Sequence, residues 1–579
     1  MIIITSKSAN DIGKCLQARH AQFVREARSC VHGQFTCFWG RPYEACVMGD
    51  VMLVYTGRAM VGRRQVLPQA CKNIGELMED LREAVGFFTV FVIEKTRVKI
   101  ISSLYRHVDV LYTMDNDEIV ISSHLDSLLE IIGARPVNAR FMWEFVNDDC
   151  QFGDETYFQG VHQVPLGEAV TLDRSAAPCR QAWNIPTPRR VDFIEELRLN
   201  IEQFAAGEER IVVQFSGGLD SSLILHIAQL VTPDCIAQHL VSAEDTASEV
   251  EIARQVAEEF GAQLDVHESP IRFAASRSSF AAATHASSPF DIHPLSPDPA
   301  NRNFGYDEQL RAIGMDRGFI LTGQGGDYVF LQNPAPHVGL DGYLDGGLRG
   351  FLAAVRAYSE LKKAPFLPLL GYNLWHAFLG APASPQWVGR RPAADPCRPH
   401  ALLTPATKSP AKLAHLQSVL MGLYQMKPND GDQFRVIHPL FMQNILAGVI
   451  GEPVNRMFTA DFDRIQIRKA FARSSATPAA WRRTKRPSSG LVFAFFRNNE
   501  ALLKRVLCDG LVASTLGIDG DWIGQRLAEN ANIRTTEDVG ALLNMLRLEI
   551  FGQCHARHLV QADTSEALRK TTLARTWHQ

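Results

Sequence analysis

The residues best suited to chemistry are Ser216-Gly217-Gly218-Leu219-Asp220-Ser221-Ser222, an unbroken run with adjacent glycines, three hydroxyls and one carboxylate. Adjacent glycines let the backbone turn sharply and bring bare N–H groups close to an oxyanion. A helix starting directly behind them adds unpaired donors and the positive end of its dipole. The hydroxyls of Ser216, Ser221 and Ser222 can hold phosphate oxygens without adding charge. Asp220 differs in kind, because a carboxylate repels phosphate; beside a polyphosphate its sensible role is to hold the Mg²⁺ that neutralises it. A Gly-Gly turn capped by serines is common in loops, so the flanking elements must decide. The run lacks the Gly-Lys-Ser/Thr ending of a P-loop, which disfavours chemistry on a γ-phosphate.

Two further segments could complete such a site. Gly318-Phe-Ile-Leu-Thr322-Gly323-Gln324-Gly325-Gly326-Asp327 is a strand-like run followed by a glycine loop with a single carboxylate. Downstream, Arg468-Lys-Ala-Phe-Ala-Arg473 and Pro478-Ala-Ala-Trp-Arg482-Arg483-Thr484-Lys485 collect cations. A departing pyrophosphate needs partners of that kind, although a charge run is often only a solvated face.

The elements around these loops are those the chemistry requires. The hydrophobic pattern predicts a helix over Phe193–Phe204, a buried strand over Ile211–Phe215, a helix over Ser221–Leu230 and a strand over Cys235–Val241. A helix over 246–260, ended by Gly261, and a strand over Gln263–His267 follow. Strand–helix alternation of this kind predicts a doubly wound parallel sheet, with ligands at the carboxyl ends of its strands. Before it the chain reads as mostly β. Strands are expected at Gly49–Tyr55, Gly86–Ile93, Val98–Ser102, Asp109–Tyr112 and Glu118–Ser123, which suggests stacked antiparallel sheets with a few helices on their faces. Asn184–Val191, with two prolines and two arginines, is the clearest linker. It divides a domain 1–184 from a domain 190–579. The Pro-rich stretch 382–410 reads as a surface loop or mobile lid, and helical patterns dominate beyond it.

At 579 residues the chain is long enough for several domains, and 46% hydrophobic with 21% charged residues is a globular balance. The 59 basic and 63 acidic residues nearly cancel, which argues against a nucleic-acid or polybasic membrane partner. Eleven scattered cysteines, never spaced as CxxC, fit neither a disulfide framework nor a zinc knuckle. The chain starts without a basic region before its short apolar run and has no stretch of about 18 apolar residues, so a signal peptide and a membrane span are not expected. A cytoplasmic location is the expectation.

The run at 216–222 resembles the pyrophosphate loop of the ATP-pyrophosphatase superfamily, specifically its asparagine-synthetase branch. Those enzymes cleave ATP between the α and β phosphates to form an acyl-adenylate that an amine attacks. The resemblance implies that Phe215, Ser216, Gly217, Gly218, Leu219, Asp220, Ser221 and Ser222 bind ATP. The 318–327 segment is similar to the S-G-E-G-x-D segment of asparagine synthetases. That implies Asp327 as a second Mg²⁺ ligand with Asp220, and Thr322 and Gly323 against the adenylate. Gln324 stands where the family has glutamate, which removes any acid/base role there. The cationic segment resembles the family's helix leading to an R-x-K element. That implies Lys485 as the residue stabilising adenylation and the leaving group, with Arg483 beside it. Arg435-Val-Ile-His438-Pro-Leu-Phe441 resembles the R-x-P-F-L-D stretch, with His438 intruding and the final Asp absent.

The N-terminal region also resembles the glutaminase half of asparagine synthetases, an Ntn-hydrolase-like sandwich, at Gly86–Phe91, Ser122–Leu129 and Phe158–Glu168. Glutamine-dependent members begin with a cysteine whose thiolate attacks the amide and whose α-amine acts as base. Residue 2 here is Ile, and Cys15 lies inside the chain with its amine in a peptide bond. This domain is therefore expected not to hydrolyse glutamine, and the attacking amine is expected to arrive on a substrate. Relatives without that cysteine include β-lactam synthetases and lasso peptide cyclases. Chain length, the Thr322-Gly-Gln-Gly-Gly-Asp-Tyr-Val-Phe330 form of the second loop, and the pair His438-Pro-Leu-Phe-Met-Gln443 with Asp461-Phe-Asp-Arg464 and Arg468-Lys-Ala-Phe471 are similar to the lasso cyclases. The expected activity is then adenylation of an Asp or Glu side chain of a precursor peptide. Its own N-terminal amine would attack, closing a macrolactam, with a leader peptidase as companion. The alternatives are a small-molecule amide or β-lactam synthetase, and a non-catalytic scaffold, against which Asp220, Asp327 and Lys485 argue. Tyr306, Tyr328 and His438 are conceivable general bases.

Overall fold

The computed structural model describes residues 1–7, 26–115, 118–205, 211–241, 247–268, 288–291, 318–379, 388–392, 398–406, 408–426, 434–482, 489–532 and 539–559, with residues 12, 15, 16 and 23. It is a mixed α/β chain with antiparallel sheets near its start, a parallel sheet after them, and many helices. One antiparallel sheet orders its strands His162–Gln163, Leu111–Asp115, Glu118–Ser122, Ile2–Thr5, Phe35–Trp39 and Arg28–His32. The other runs Ala176–Ala182, Glu168–Asp173, Arg97–Ser102, Val85–Ile93, Val51–Val61 and Glu44–Met48.

Side chains alternate between the faces of a strand, and this alternation builds two apolar layers. Ile2, Ile4, Phe35 and Ile121 of the first sheet meet Val54, Phe91, Ile93 and Ile100 of the second, all fully buried. The intervening Leu53, Val90, Val92 and Ile101 fill the opposite face with Leu77 and Leu81 of the helix Ile74–Glu83. The strand expected at 49–55 runs on to Val61, pairing with Val85–Ile93 along its length. Gly57 hid this continuation: its φ of +97° breaks the pattern, and a Cβ there would lie 2.0 Å from the Phe87 carbonyl oxygen.

The parallel sheet runs Gln263–Glu268, Ile236–Val241, Ile211–Gln214, Gly318–Thr322, Phe434–Ile437, with every neighbouring pair parallel. The chain winds outward from Ile211–Gln214, then returns to its other side at Gly318–Thr322. Loops leaving these two adjacent strands diverge, and the crevice between them is where open parallel sheets place ligands. Both glycine loops leave the sheet there. Helices Ser489–Cys508, Leu511–Leu516, Gly520–Asn532 and Val539–Cys554 form most of the later chain. Among the described residues no helix is long and apolar enough to cross a membrane, and all described cysteines are free thiols.

Of the Pro-rich stretch 382–410, residues 388–392, 398–406 and 408–410 are described. Its described parts are bonded down: Asn147 brackets Val388 through N–H and C=O at 2.7 and 3.1 Å, and His400 reaches the Leu166 carbonyl at 2.6 Å. The linker at Asn184–Val191 is also less loose than its composition suggests. Buried Asn184 donates to the carbonyls of Leu81, Arg82 and Ala84 and accepts from Leu104 N–H. Gln443 completes this knot, accepting from Gly86 N–H at 3.0 Å and donating to Gly86 O at 2.8 Å and Asn184 Oδ1 at 2.9 Å. Gln443→Leu strands these buried backbone groups, and a loss of about 2 kcal/mol is expected by denaturant titration.

Burial holds the imidazoles of His107 and His415 down to about 3, and those of His400 and His438 down to about 4. In the unfolded chain the same groups titrate near 6.5. Below that pH the unfolded state binds protons that the folded state refuses, so stability is whole above about pH 6.5 and falls as pH drops toward 4. Each histidine contributes up to about 1.4 kcal/mol per pH unit in that window. Denaturation midpoints at pH 7 and pH 5 test this, and equal midpoints would contradict it.

Candidate active site

The strand Ile211–Gln214 leads through Phe215 into the helix Leu219–Val231, whose N-cap is Gly218 (φ −78°, ψ 169°). Gly217 holds φ +69°, and a Cβ there would lie 3.1 Å from Ala253 Cα. Both the turn and the neighbouring helix therefore require glycine. The loop is braced by its own hydroxyls. Ser221 Oγ accepts from Ser216 N–H at 3.2 Å, lies 3.1 Å from Ser216 Oγ and donates to Gly218 O at 3.3 Å.

The second loop closes directly against the first. A Cβ on Gly323 would come within 2.6 Å of Ser221 N, and one on Gly326 within 2.1 Å of Asp220 Oδ1. These glycines are needed for that close approach. It sets Asp220 and Asp327 side by side, and one guanidinium nitrogen, Arg464 Nη1, donates to both: to Asp220 Oδ2 at 2.6 Å and to Asp327 Oδ1. Gln332 lies on the same carboxylate; oriented to donate, its amide nitrogen is 3.1 and 3.2 Å from the two Asp327 oxygens. Burial opposes the charge on Arg464, but Asp220, Asp327 and Asp463 outweigh it and hold its pKa above the usual value.

A cavity of about 360 Å³ opens over this pair, lined by Phe215, Ser216, Gly218, Leu219, Asp220 and Ser221 of the first loop and by Gly323, Gln324 and Asp327 of the second. Arg464, Arg468 and Arg482 give it a cationic wall. Arg468 is largely committed to scaffolding. It donates to Asp463 Oδ1 and O at 2.9 Å and to Ala480 O at 2.8 Å, fixing the helix Ile465–Ser474 against the turn Pro478–Trp481. Arg482 Nη1 stands 3.5 Å from Gly217 O.

Gly217, Ser222 and Thr322 stand behind the lining. Thr322 accepts from Gln324 N–H at 3.1 Å, and its hydroxyl meets His438 Nδ1 at 2.6 Å. His438 N–H in turn donates to the Tyr105 hydroxyl at 3.0 Å. His438 and Tyr328, conceivable as bases, are thus occupied in packing; Tyr328 stacks on Phe441, its hydroxyl pKa raised by burial. Arg483, Lys485 and Tyr306 lie outside the described residues.

The fit for a divalent cation can be judged from the donors alone. Because one nitrogen touches both carboxylates, one cation can reach both. The described residues hold no cluster of three or more His, Cys, Asp or Glu side chains that could hold a metal. Mg²⁺ is commonly held by one or two carboxylates together with substrate phosphates. Asp220 and Asp327 fit that donor set, and the hydroxyl loop fits the phosphates.

Arg464, His239 and Gln332 were among the residues of the site not assigned from sequence. Arg464 was visible only as part of a longer motif. His239 lies within the neighbouring strand Ile236–Val241, and its Nδ1 lies 2.8 Å from the Phe215 carbonyl, which can only accept. That fixes the proton on Nδ1 and leaves Nε2 an acceptor. Nε2 is buried, belongs to a residue lining the cavity, and has no partner among the described residues. The sequence signal was a histidine inside a largely apolar strand.

Residues 202–340 match the asparagine synthase family model, a span that holds both glycine loops. The chain is 25% identical over 496 residues to the Microcin J25-processing protein McjC of Escherichia coli, covering 83% of this chain and 88% of that protein. These matches bear out the asparagine synthetase-like relationship that the motifs carry. The chain is an ATP-dependent amide-forming ligase. Two solved structures are also similar. The allosteric regulatory enzyme of purine biosynthesis has 8% identity and a TM-score of 0.23, covering 48% of this chain and 82% of that one. The glutamine phosphoribosylpyrophosphate amidotransferase of B. subtilis has 9% identity and a TM-score of 0.21, covering 57% and 77%. At those scores neither carries weight here.

Gly326→Ala tests the approach of the two loops. Its methyl must push the Asp220 carboxylate aside, and displacements near 1 Å at reacting centres cost about 10²-fold in rate. ATP consumption is expected to fall by about that factor while the far-ultraviolet circular dichroism is unchanged. Full activity would show that the loops need not touch.

Proposed function

We propose that this chain is a lasso peptide cyclase. It activates an Asp or Glu side chain of a precursor peptide as its adenylate and joins it to the peptide's own N-terminal amine, releasing AMP and pyrophosphate. The observation that carries this reading is the carboxylate pair Asp220 and Asp327 sharing one cation at the switch point of the sheet, beneath an arginine wall. The similarity to a microcin-processing protein along most of the chain supports a peptide as the substrate class.

In this reading residues 1–184 form a glutamine amidotransferase-like unit of Ntn-hydrolase type that does not hydrolyse glutamine. Residues 190–579 form the ATP-pyrophosphatase-type synthetase. Ser216, Ser221 and the N–H groups behind Gly217 and Gly218 hold the outer phosphates, with Ser222 buried behind them; Phe215, Leu219 and Gly323 border the nucleotide, with Thr322 supporting the second loop. Mg²⁺ held by Asp220 and Asp327 would neutralise the triphosphate. Lys485 and Arg483 stabilise charge on the leaving pyrophosphate. Because amine and acyl carbon belong to one molecule, most of the acceleration comes from holding them together, and the closed site must exclude water from the adenylate. A leader peptidase prepares the peptide in the cytoplasm.

The test is incubation with ATP, Mg²⁺, a leader peptidase and a candidate precursor. AMP and pyrophosphate are expected, with loss of about 18 Da from a core peptide whose ring holds its tail against digestion, as intramolecular condensation requires. Asp220→Ala is expected to abolish AMP release while sparing peptide binding. Release of ADP and orthophosphate would overturn the proposal, and condensation of a small acid with a free amine in place of the peptide would assign the chain to small-molecule amide synthesis.

A further inference from the structure

Arg464 occupies a place that the ligase chemistry needs vacant. Its Nη1 sits between Asp220 and Asp327, its Nε is 3.3 Å from Asp463 Oδ1, and the residue is only 7% exposed. Two carboxylates held this close repel each other, and Asp220 is largely withdrawn from water, so a cation between them stabilises the pair. In the described structure that cation is covalently part of the chain. A divalent ion bound by the same two oxygens and the Arg464 nitrogen cannot be there together.

The backbone at this position is unusual. Arg464 holds φ +50°, ψ 37° at the start of the helix Ile465–Ser474, a left-handed conformation that costs a side-chain-bearing residue about 1 kcal/mol or more. The same conformation delivers the guanidinium to the two aspartates. Asp463, next to it in sequence, is fixed by Arg468 at 2.9 Å. The arginine therefore has an anchored acidic neighbour on the cavity side to which it stays attached when it leaves the pair.

We propose that Arg464 is a resident countercation. It holds Asp220 and Asp327 in the nucleotide-free protein, is displaced when a divalent ion enters with a polyphosphate, and then serves as a positioning cation for phosphate oxygens in the same cavity. This deepens the ligase reading and rests on it. The exchange balances charge at each stage: carboxylates trade a guanidinium for a metal, and the guanidinium trades carboxylates for phosphate. It also couples the two ligands. Metal alone must compete with a tethered cation, whereas metal with pyrophosphate offers that cation a new partner, so each ligand tightens the other.

The experiment is Mn²⁺ titration of the full chain by electron paramagnetic resonance, with and without inorganic pyrophosphate. Wild type is expected to bind Mn²⁺ weakly alone. Arg464→Gln is expected to bind it about tenfold tighter alone, as when a state nine-tenths closed is opened, and to lose most of the enhancement by pyrophosphate. Arg464→Met, which keeps the packed stem, repeats the measurement should the glutamine variant not fold. In either variant Mn²⁺ is expected to raise the melting temperature more than in wild type, because it replaces the lost countercation. Equal Mn²⁺ affinity in wild type and a folded variant overturns the countercation. That result would leave the ligase reading intact, since the latter stands or falls on AMP against ADP release.

Discussion

Two carboxylates that must stand together, and the cation that allows them to, set the terms for the rest of this structure. Asp220 and Asp327 come from loops about a hundred residues apart, brought together because their strands are neighbours in a parallel sheet. Their approach is permitted only by glycines on the facing loop. Among the described residues Arg464, from a third segment, reaches both and offsets their charge. Hydroxyl donors, glycine turns and the arginine wall are arranged around that electrostatic knot, and a ligand rich in negative oxygens and metal is the natural complement to it.

The N-terminal sandwich matters to the site although it contributes nothing to the cavity lining. A hydrogen-bonded line runs from the buried Tyr105 hydroxyl through His438 to Thr322 and on to Gln324 N–H, ending in the second glycine loop. Arg106, next in sequence to Tyr105 and also buried, donates to the carbonyls of Tyr424 and Met426 and pairs with Asp109. With the knot of Asn184, Gln443 and Gly86, these contacts tie together segments on either side of 184–191. His438 and Gln443, conspicuous in sequence as a shared motif, earn their place as ties between layers. Their bonds to Thr322, Gly86 and Asn184 suit that role.

Much of the architecture was legible. Alternating and continuous apolar runs located the strands at 85–93, 97–102, 211–214, 236–241 and 263–268 and the helices beside them, with boundaries shifted by a residue or two. The loop 216–222 was legible because its donors and its carboxylate are contiguous. What stayed hidden involved a glycine inside a strand, as at Gly57, or a polar residue whose partner is distant in sequence. Asn184 looked like the edge of a linker because nothing local marks it as the acceptor and donor for four backbone groups. The anchoring of Val388 and His400 was hidden for the same reason. His239 was missed because its tautomer, and so its availability as an acceptor, is set by a carbonyl on the next strand.

The sequence by itself determined the local chemistry: which loop could cradle phosphate, which carboxylates could serve a metal, and the order of strands and helices that would present them. These follow from short-range rules of turn geometry, periodicity and charge type. The tertiary structure decided which of those groups meet. That Arg464 stands between Asp220 and Asp327, that Thr322 serves His438, and that His239 faces the cavity all depend on distances between chain segments tens to hundreds of residues apart. Such distances are fixed by how layers pack, and no local pattern encodes them.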